Sequence, residues 1–197
     1  MLRAALYHSA ARLPFLSSMR HSLLLHPACR SASVKSIAVE VTPSRGTLAV
    51  RYFVAGDMGG LKLPLPIGPL RTDELWQHTC FELFLRAPGQ DSYYEFNFAP
   101  SLQWAAYSFD SYRQGMRPLE IAAPRIEMRQ DADSFELQAV LAPAGSPGFD
   151  ARSEWSLALS SVIEEASGQI SYWALAHPPG KPDFHDAAAF TICLNMS

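Results

Sequence analysis

Two glutamates, Glu82 and Glu95, lie in neighbouring segments that alternate apolar and polar residues, "CFELFL" and "YYEFNF". If these segments pair as a hairpin across "APGQDS", their apolar residues must share one face of the sheet. That register puts both glutamates on the opposite face as near neighbours, together with Asn97. Two carboxylates so placed repel unless solvent, a shared proton, a cation or a ligand's hydroxyl groups intervene. The pattern is typical of a solvated sheet face or of a polar floor for a ligand.

A second group of polar residues follows in "YWALAHPPGKPDFHD", which begins like a strand and continues as a proline-rich loop. Proline fixes φ, so the loop would hold His177, Asp183 and His185 at a rim with little entropy left to lose on binding. The two histidines are eight positions apart and no third ligand follows, which disfavours zinc unless a fold contact brings in His78. Calcium could use Asp183 and the glutamates, but no EF-hand-like loop is present. We expect no metal site.

Tryptophans near such polar groups could form a sugar site. An indole ring can stack on the apolar face of a pyranose while carboxylates and amides accept its hydroxyl protons. Trp76, Trp104 and Trp173 are available, and Trp104 or Trp173 alone is more typical of a core than of a stacking platform. Together with the polar face, Trp104 and Trp173 are predicted to be the stacking platforms.

The elements that must position these residues are short strands. Apolar residues recur at every second position in four further segments, which is typical of half-buried strands: "SIAVEV", "TLAVRYFVAG", "SFELQAVL" and "EWSLALSSVIEE". Turn-forming residues such as "GDMGG" and "EASGQ" separate them. Only one short helical turn, near Asp73, has room to form. Eight or nine such strands predict a single all-β domain, an antiparallel β-sandwich or barrel.

Bulk composition limits the possible functions. A chain of 197 residues with a formal net charge of -3 has no basic excess for nucleic acid, and no apolar run is long enough for a membrane span. The three cysteines, Cys29, Cys80 and Cys193, give neither a disulfide framework nor a CxxC zinc site. Cys80 and Cys193 are expected to be buried small hydrophobes.

The N-terminal region resembles a targeting peptide, because the first 39 residues contain five basic residues and no acid. However, Tyr7, His8 and Arg12 interrupt any apolar core, and Met19 begins "MRHSLLLHP", which resembles a natural start. We therefore expect residues 1–22 to be a leader or an over-annotated N-terminus, and residues 23–197 to form the domain. The expected location is the cytoplasm, with export as the alternative.

Three segments together resemble a known family: "DELWQHTCFELFL", "YYEFNFAPSLQWAAYSFD" and "ISYWALAHPPGKPDFH". They resemble the DOMON-like domains, which are related to the family-nine carbohydrate-binding modules, from about Leu23 to Leu194. Within that group the chain resembles stand-alone bacterial domains. The resemblance implies a jelly-roll β-sandwich that binds sugars or haem without catalysis. Such modules clamp a sugar between two tryptophans, but no spacing here shows which two would face each other.

These observations predict a non-catalytic module that binds a small ligand, a carbohydrate, through stacking tryptophans and carboxylate or amide hydrogen bonds. One alternative is a haem-binding module, which would need axial ligands such as a methionine and a histidine. Another is a hydrolase that uses Glu82 and Glu95, although no GxSxG or glycine-rich phosphate loop is present. The residues expected to contact the ligand are Trp76, His78, Glu82, Glu95, Asn97, Trp104, Trp173, His177, Asp183 and His185.

Overall fold

Alternating burial along the strands matches the alternation in the sequence. A computed structural model describes residues 20–44, 46–142 and 154–195. In β2, for example, Ile37 and Val39 are fully buried while Ala38 and Glu40 are partly exposed. In the described part of the chain there are twelve strands: β1 Arg20–Leu25, β2 Val34–Ser44, β3 Thr47–Gly56, β4 Cys80–Arg86, β5 Tyr93–Phe98, β6 Trp104–Phe109, β7 Arg117–Pro118, β8 Arg125–Gln130, β9 Ser134–Leu141, β10 Glu154–Glu164, β11 Ile170–Ala174 and β12 Ile192–Asn195. Three single-turn 3-10 helices accompany them: Met58–Gly60, Leu75–Gln77 and Ala187–Ala189.

The strands form one hydrogen-bonded path in the order β7-β6-β5-β4-β10-β11-β1-β2-β3-β9-β8, and β12 pairs with β10. All pairings between these strands are antiparallel. Strand β1 joins the two halves, since its first residues pair with β2 and its last two pair with β11. The prediction of an all-β antiparallel fold is therefore confirmed, while its jelly-roll type stays a prediction.

The two halves of the sheet face each other across an apolar core. The rings of Phe81 in β4 and Phe135 in β9 stack with centroids 5.7 Å apart. The Tyr52 hydroxyl of β3 donates a hydrogen bond of 2.6 Å to the carbonyl oxygen of Glu82 in β4. We call this cluster the inner core; its largest fully buried members include Trp155, Tyr52, Phe81, Phe96, Phe98 and Phe135.

Strands β4, β5 and β6 and most of β10 are buried on both faces. One face packs on the inner core. The other face is covered by loops and carries a second apolar group, here called the outer cluster, whose members include Cys80, Phe84, Tyr93, Tyr107, Phe109, Val162 and Phe184. A covered outer face is the reason that polar side chains on it are enclosed rather than solvated.

One expectation about the cysteines needs correction, while the predicted boundary between leader and domain stays a prediction. Strand β1 begins at Arg20, so residues 20–22 belong to the sheet. The rest of that leader lies outside the described residues. Cys80 is buried as expected, but Cys193 is exposed, because alternation along β12 turns Ile192 and Leu194 towards the core and Cys193 away from it. Within the described ranges, no helix has the length and apolar character needed to cross a membrane.

Candidate ligand-binding site

The register of three adjacent strands places the predicted acids together on the outer face. Glu82 of β4 is directly opposite Asn97 of β5, and Phe84 is opposite Glu95. On the other side, Ser160 of β10 is opposite Glu82. The expected arrangement of Glu82, Glu95 and Asn97 on one face is confirmed, and the outer loops enclose the two glutamates, which are only 3% and 4% exposed.

A cavity of about 320 Å³ lies over the two glutamates. Its walls come from the 3-10 helix that carries Trp76, from the loop at 110–116 between β6 and β7, and from the loop at 175–186 after β11. Strands β6, β10 and β11 of the sheet also contribute side chains to the walls. The lining residues are Trp76, Glu82, Glu95, Phe109, Arg113, Met116, Val162, Tyr172, Pro182, Phe184 and His185.

Each glutamate in the floor has one carboxylate oxygen held by the sheet and one left open. Ser160 Oγ donates to Glu82 Oε2 at 3.0 Å, and Asn97 Nδ2 donates to Glu95 Oε1 at 2.7 Å. Among the described residues, none donates to Glu82 Oε1 or to Glu95 Oε2. His185 Nε2 lies 3.9 Å from Glu95 Oε2, which is too far for a hydrogen bond. Two acceptor oxygens therefore remain for a ligand.

Enclosure changes the protonation of this pair. Burial, with the nearby Glu95 carboxylate as the second cause, raises the pKa of Glu82 from 4.5 to about 8. Burial likewise raises the pKa of Glu95 to about 7. The hydrogen bonds from Ser160 and Asn97 and the charge of Arg113 oppose these shifts without cancelling them. Near neutral pH the pair consequently retains a proton that two solvated glutamates would have lost.

The rim is organised around Arg113 and Asp183, which tie two loops together. Arg113 Nη2 donates to Asp183 Oδ1 at 2.8 Å, and the Tyr112 hydroxyl donates to Asp183 Oδ2. Asp183 Oδ1 also accepts the backbone N–H of His185 at 3.1 Å. Arg113 has a positive φ of 54°, an uncommon conformation that this bracing holds. Asp183 thus positions the rim rather than lining the cavity itself.

His185 forms part of the wall as a neutral ring. Its Nδ1 is hydrogen-bonded to the Tyr93 hydroxyl at 2.7 Å, and its ring packs against Phe84 and Phe109. Burial, followed by the charge of Arg113, lowers the pKa of His185 to about 4. The imidazole therefore carries no charge at neutral pH.

Trp104 and Trp173 are not beside the two glutamates, so their expected stacking role is corrected. Both are 5% exposed and belong to the inner core. Trp104 pairs with Phe98 across the tight turn after β5, which fixes its side chain on the core face. Trp173 is opposite Ser161 and likewise faces inward. Trp76 is the tryptophan that lines the cavity in the described part of the chain.

Two of the predicted histidines lie elsewhere. His78 is exposed and pairs through Nδ1 with Glu164 Oε2 at 2.7 Å, beside a neighbouring groove. His177 Nε2 bonds to the carbonyl oxygen of Leu24 at 2.8 Å, because β11 ends at Ala174 and the chain then turns towards β1. Over the described ranges, no three His, Cys, Asp or Glu side chains converge to hold a metal ion.

Several wall residues were not predicted from the sequence. Alternation along β11 puts Tyr172 on the face opposite Trp173. The same rule puts Phe109 on the face of the sheet that carries Glu95 and Tyr107. Both positions could have been predicted from the pairing registers of the strands. Arg113, Met116, Pro182 and Phe184 come from loops and carry no local signal. The assembled site combines an acidic floor with aromatic walls, an arrangement that can bind a small ring with polar edges and apolar faces.

Comparisons with known proteins support the fold. No family model matches the sequence, and neither does any curated protein. Among solved structures, a candidate carbohydrate-binding protein from Bacteroides uniformis is similar, with a TM-score of 0.64 and 12% identity over 88% of this chain and 84% of its own. A family 9 carbohydrate-binding module from Caldicellulosiruptor kristjanssonii, in complex with cellotriose, has a TM-score of 0.53 and 11% identity over 83% of this chain and 75% of its own. At these identities the likeness shows a shared fold.

Proposed function

We propose that this chain is a non-catalytic module that binds a small carbohydrate in the cavity over Glu82 and Glu95. One observation carries the proposal: two buried carboxylates each present an unoccupied oxygen to an aromatic-walled cavity. A ligand that donates hydrogen bonds to these oxygens would take the place of the water that otherwise solvates them, in an enclosed site where such bonds are strong.

The shape of the cavity agrees with a small sugar. Its volume of about 320 Å³ is at the low end of small-molecule sites, which suits one or two rings rather than a long chain. Trp76 and Tyr172 line the cavity and would contact the ligand in place of Trp104 and Trp173. Arg113 can donate to ring or glycosidic oxygens from the rim.

The structural neighbours support the same class of ligand. One is described as a candidate carbohydrate-binding protein, and the other is a family 9 module seen with cellotriose. As part of the proposal, the curled sheet is a jelly-roll sandwich related to the DOMON-like domains.

Haem, the rival ligand of that family, fits the cavity poorly. Met116 and His185, which are ligand types for haem iron, both line it. However, Met116 is exposed at the rim, and the His185 ring is enclosed by Phe84, Tyr93 and Phe109. The floor also carries two carboxyl groups where a porphyrin face requires apolar contacts.

A thermal-shift screen with mono- and disaccharides, followed by isothermal titration calorimetry, tests the proposal. A sugar at a hundred times its dissociation constant stabilises the folded state by about 2.7 kcal/mol, which raises Tm by roughly 5–10 °C. Trp76→Ala should weaken binding at least tenfold. His78→Ala is the matched control, because His78 is two residues away, is exposed and lies outside the cavity.

A flat response to every sugar would overturn the proposal, as would equal losses in the two variants. Turnover of a chromogenic glycoside, abolished by Glu82→Gln, would replace it with the hydrolase alternative.

A further inference from the structure

We propose, on the basis of the function above, that the ligand carries a protonated amine, as an amino sugar does, and that its ammonium group binds between Glu82 and Glu95. The cavity's lining distinguishes such a ligand from a neutral sugar in three ways: the balance of charge, the number of open acceptors and the nature of the walls.

The charge balance in the cavity leaves two carboxyl groups without a partner cation. In the described part of the chain, Arg113 is the one arginine or lysine that lines the cavity, and its guanidinium is already paired with Asp183 at 2.8 Å. His185 is neutral near pH 7, because burial lowers its pKa to about 4. Glu82 and Glu95 therefore have no cation beside them, and burial keeps the pair partly protonated instead.

The open oxygens of the floor match the donors of an ammonium group. Glu82 Oε1 and Glu95 Oε2 both lack a donor among the described residues, and both glutamates are more than nine-tenths buried. A primary ammonium group supplies three donors and a full positive charge, whereas a hydroxyl group supplies one donor and no charge. Hydrogen bonds between charged partners are roughly twice as strong as those between neutral ones.

The walls also favour a cation. Trp76, Phe109, Tyr172 and Phe184 surround the space above the floor. The face of an aromatic ring attracts a cation with about 0.5–2 kcal/mol, and a desolvated site lies at the upper end of that range. An aromatic enclosure with carboxylates at its base is therefore well suited to a small ammonium group.

Binding of a cation must also displace the proton that the floor retains. The titratable and charged groups facing the pair are Cys80 on β4, Tyr93 on β5, Tyr107 on β6, Arg113 and Asp183 at the rim, and His185 in the wall. None of them takes up that proton near neutral pH, because the pKa of His185 is lowered to about 4 and the pKa of Asp183 lies below its usual value. The proton is therefore released to the solvent as the ammonium group enters.

Calorimetric titrations with glucosamine, N-acetylglucosamine and glucose test the inference. At about pH 6.5 an amine with a pKa near 8 is protonated. We expect glucosamine to bind at least tenfold more tightly than the other two sugars. Its binding heat should differ between phosphate and imidazole buffers, because protons are released only when the cation binds.

Glu82→Gln and Glu95→Gln should each remove this preference, and either variant is sufficient if the other fails to fold. Glu164→Gln is the matched control. Glu164 is also a buried carboxylate of this sheet, but it lines the neighbouring groove instead of the cavity and already forms an ion pair with Lys62. Glucose or N-acetylglucosamine binding as tightly as glucosamine, with loss in Trp76→Ala, would overturn the inference and keep the proposed function. Binding of none of the three sugars would overturn both.

Discussion

Replacing Glu82 by glutamine should make the protein more stable at neutral pH and less sensitive to pH. Glu82 is 3% exposed, and burial raises its pKa from 4.5 to about 8. The unfolded chain ionises this group near its ordinary pKa, whereas the folded protein keeps the proton to higher pH. Between these values the folded state binds more protons, so the free energy of unfolding falls as pH rises.

The size of this effect follows from the shift. At pH 7, holding Glu82 protonated in the folded state costs about 3 kcal/mol relative to the unfolded chain. Glutamine has nearly the same shape, still accepts the hydrogen bond from Ser160, and does not titrate. We expect a Tm for Glu82→Gln that is roughly 6–12 °C above wild type at pH 7, with little difference near pH 4.5.

The assay is thermal unfolding by circular dichroism between pH 4.5 and 8, with Glu127→Gln as the control. Glu127 is exposed on β8, where its ion pair with Arg125 contributes little. Parallel Tm curves for wild type and Glu82→Gln across this pH range would refute the reasoning, because they would show that Glu82 ionises normally in the folded protein.

Three further outcomes follow from the rim and the core. Asp183→Asn frees the charge of Arg113, so glucosamine binding should weaken several-fold more than glucose binding; calorimetry that shows equal changes would contradict the ammonium inference. Trp104→Ala should lower the free energy of unfolding by roughly 3–5 kcal/mol while the folded fraction keeps its affinity, as measured by urea unfolding and titration. Tyr172→Ala should weaken ligand binding at least tenfold with a smaller loss of stability, because Tyr172 is only partly buried at the cavity wall; unchanged binding would remove it from the site.

Much of the fold could be predicted from local patterns. Period-two alternation predicts which residues of β2, β3 and β9 face the core, because a strand's side chains alternate by geometry. The hairpin of β4 and β5 could also be predicted, since core packing leaves one register that buries both apolar sets. That single constraint is sufficient to place Glu82 and Glu95 together on the opposite face of the sheet.

The site itself was predicted only in part, for a physical reason. A one-residue change of register moves a side chain to the other face of the sheet, so Trp104 and Trp173 could be assigned to a face only through their neighbours in β5 and β10. The walls over the glutamates come from loops distant in sequence, including those that carry Arg113 and Phe184. Which loop covers which face depends on long-range packing, and periodicity carries no information about it.

The central claim, that a sugar binds over Glu82 and Glu95, is tested most directly by following the indole N–H signals of ¹⁵N-labelled protein during titration with glucosamine. The chain contains four tryptophans, so four such signals are expected. We predict that the Trp76 signal moves with ligand concentration, while those of Trp104, Trp155 and Trp173 in the inner core stay in place. Movement of the Trp104 or Trp173 signal with Trp76 unchanged would contradict the account.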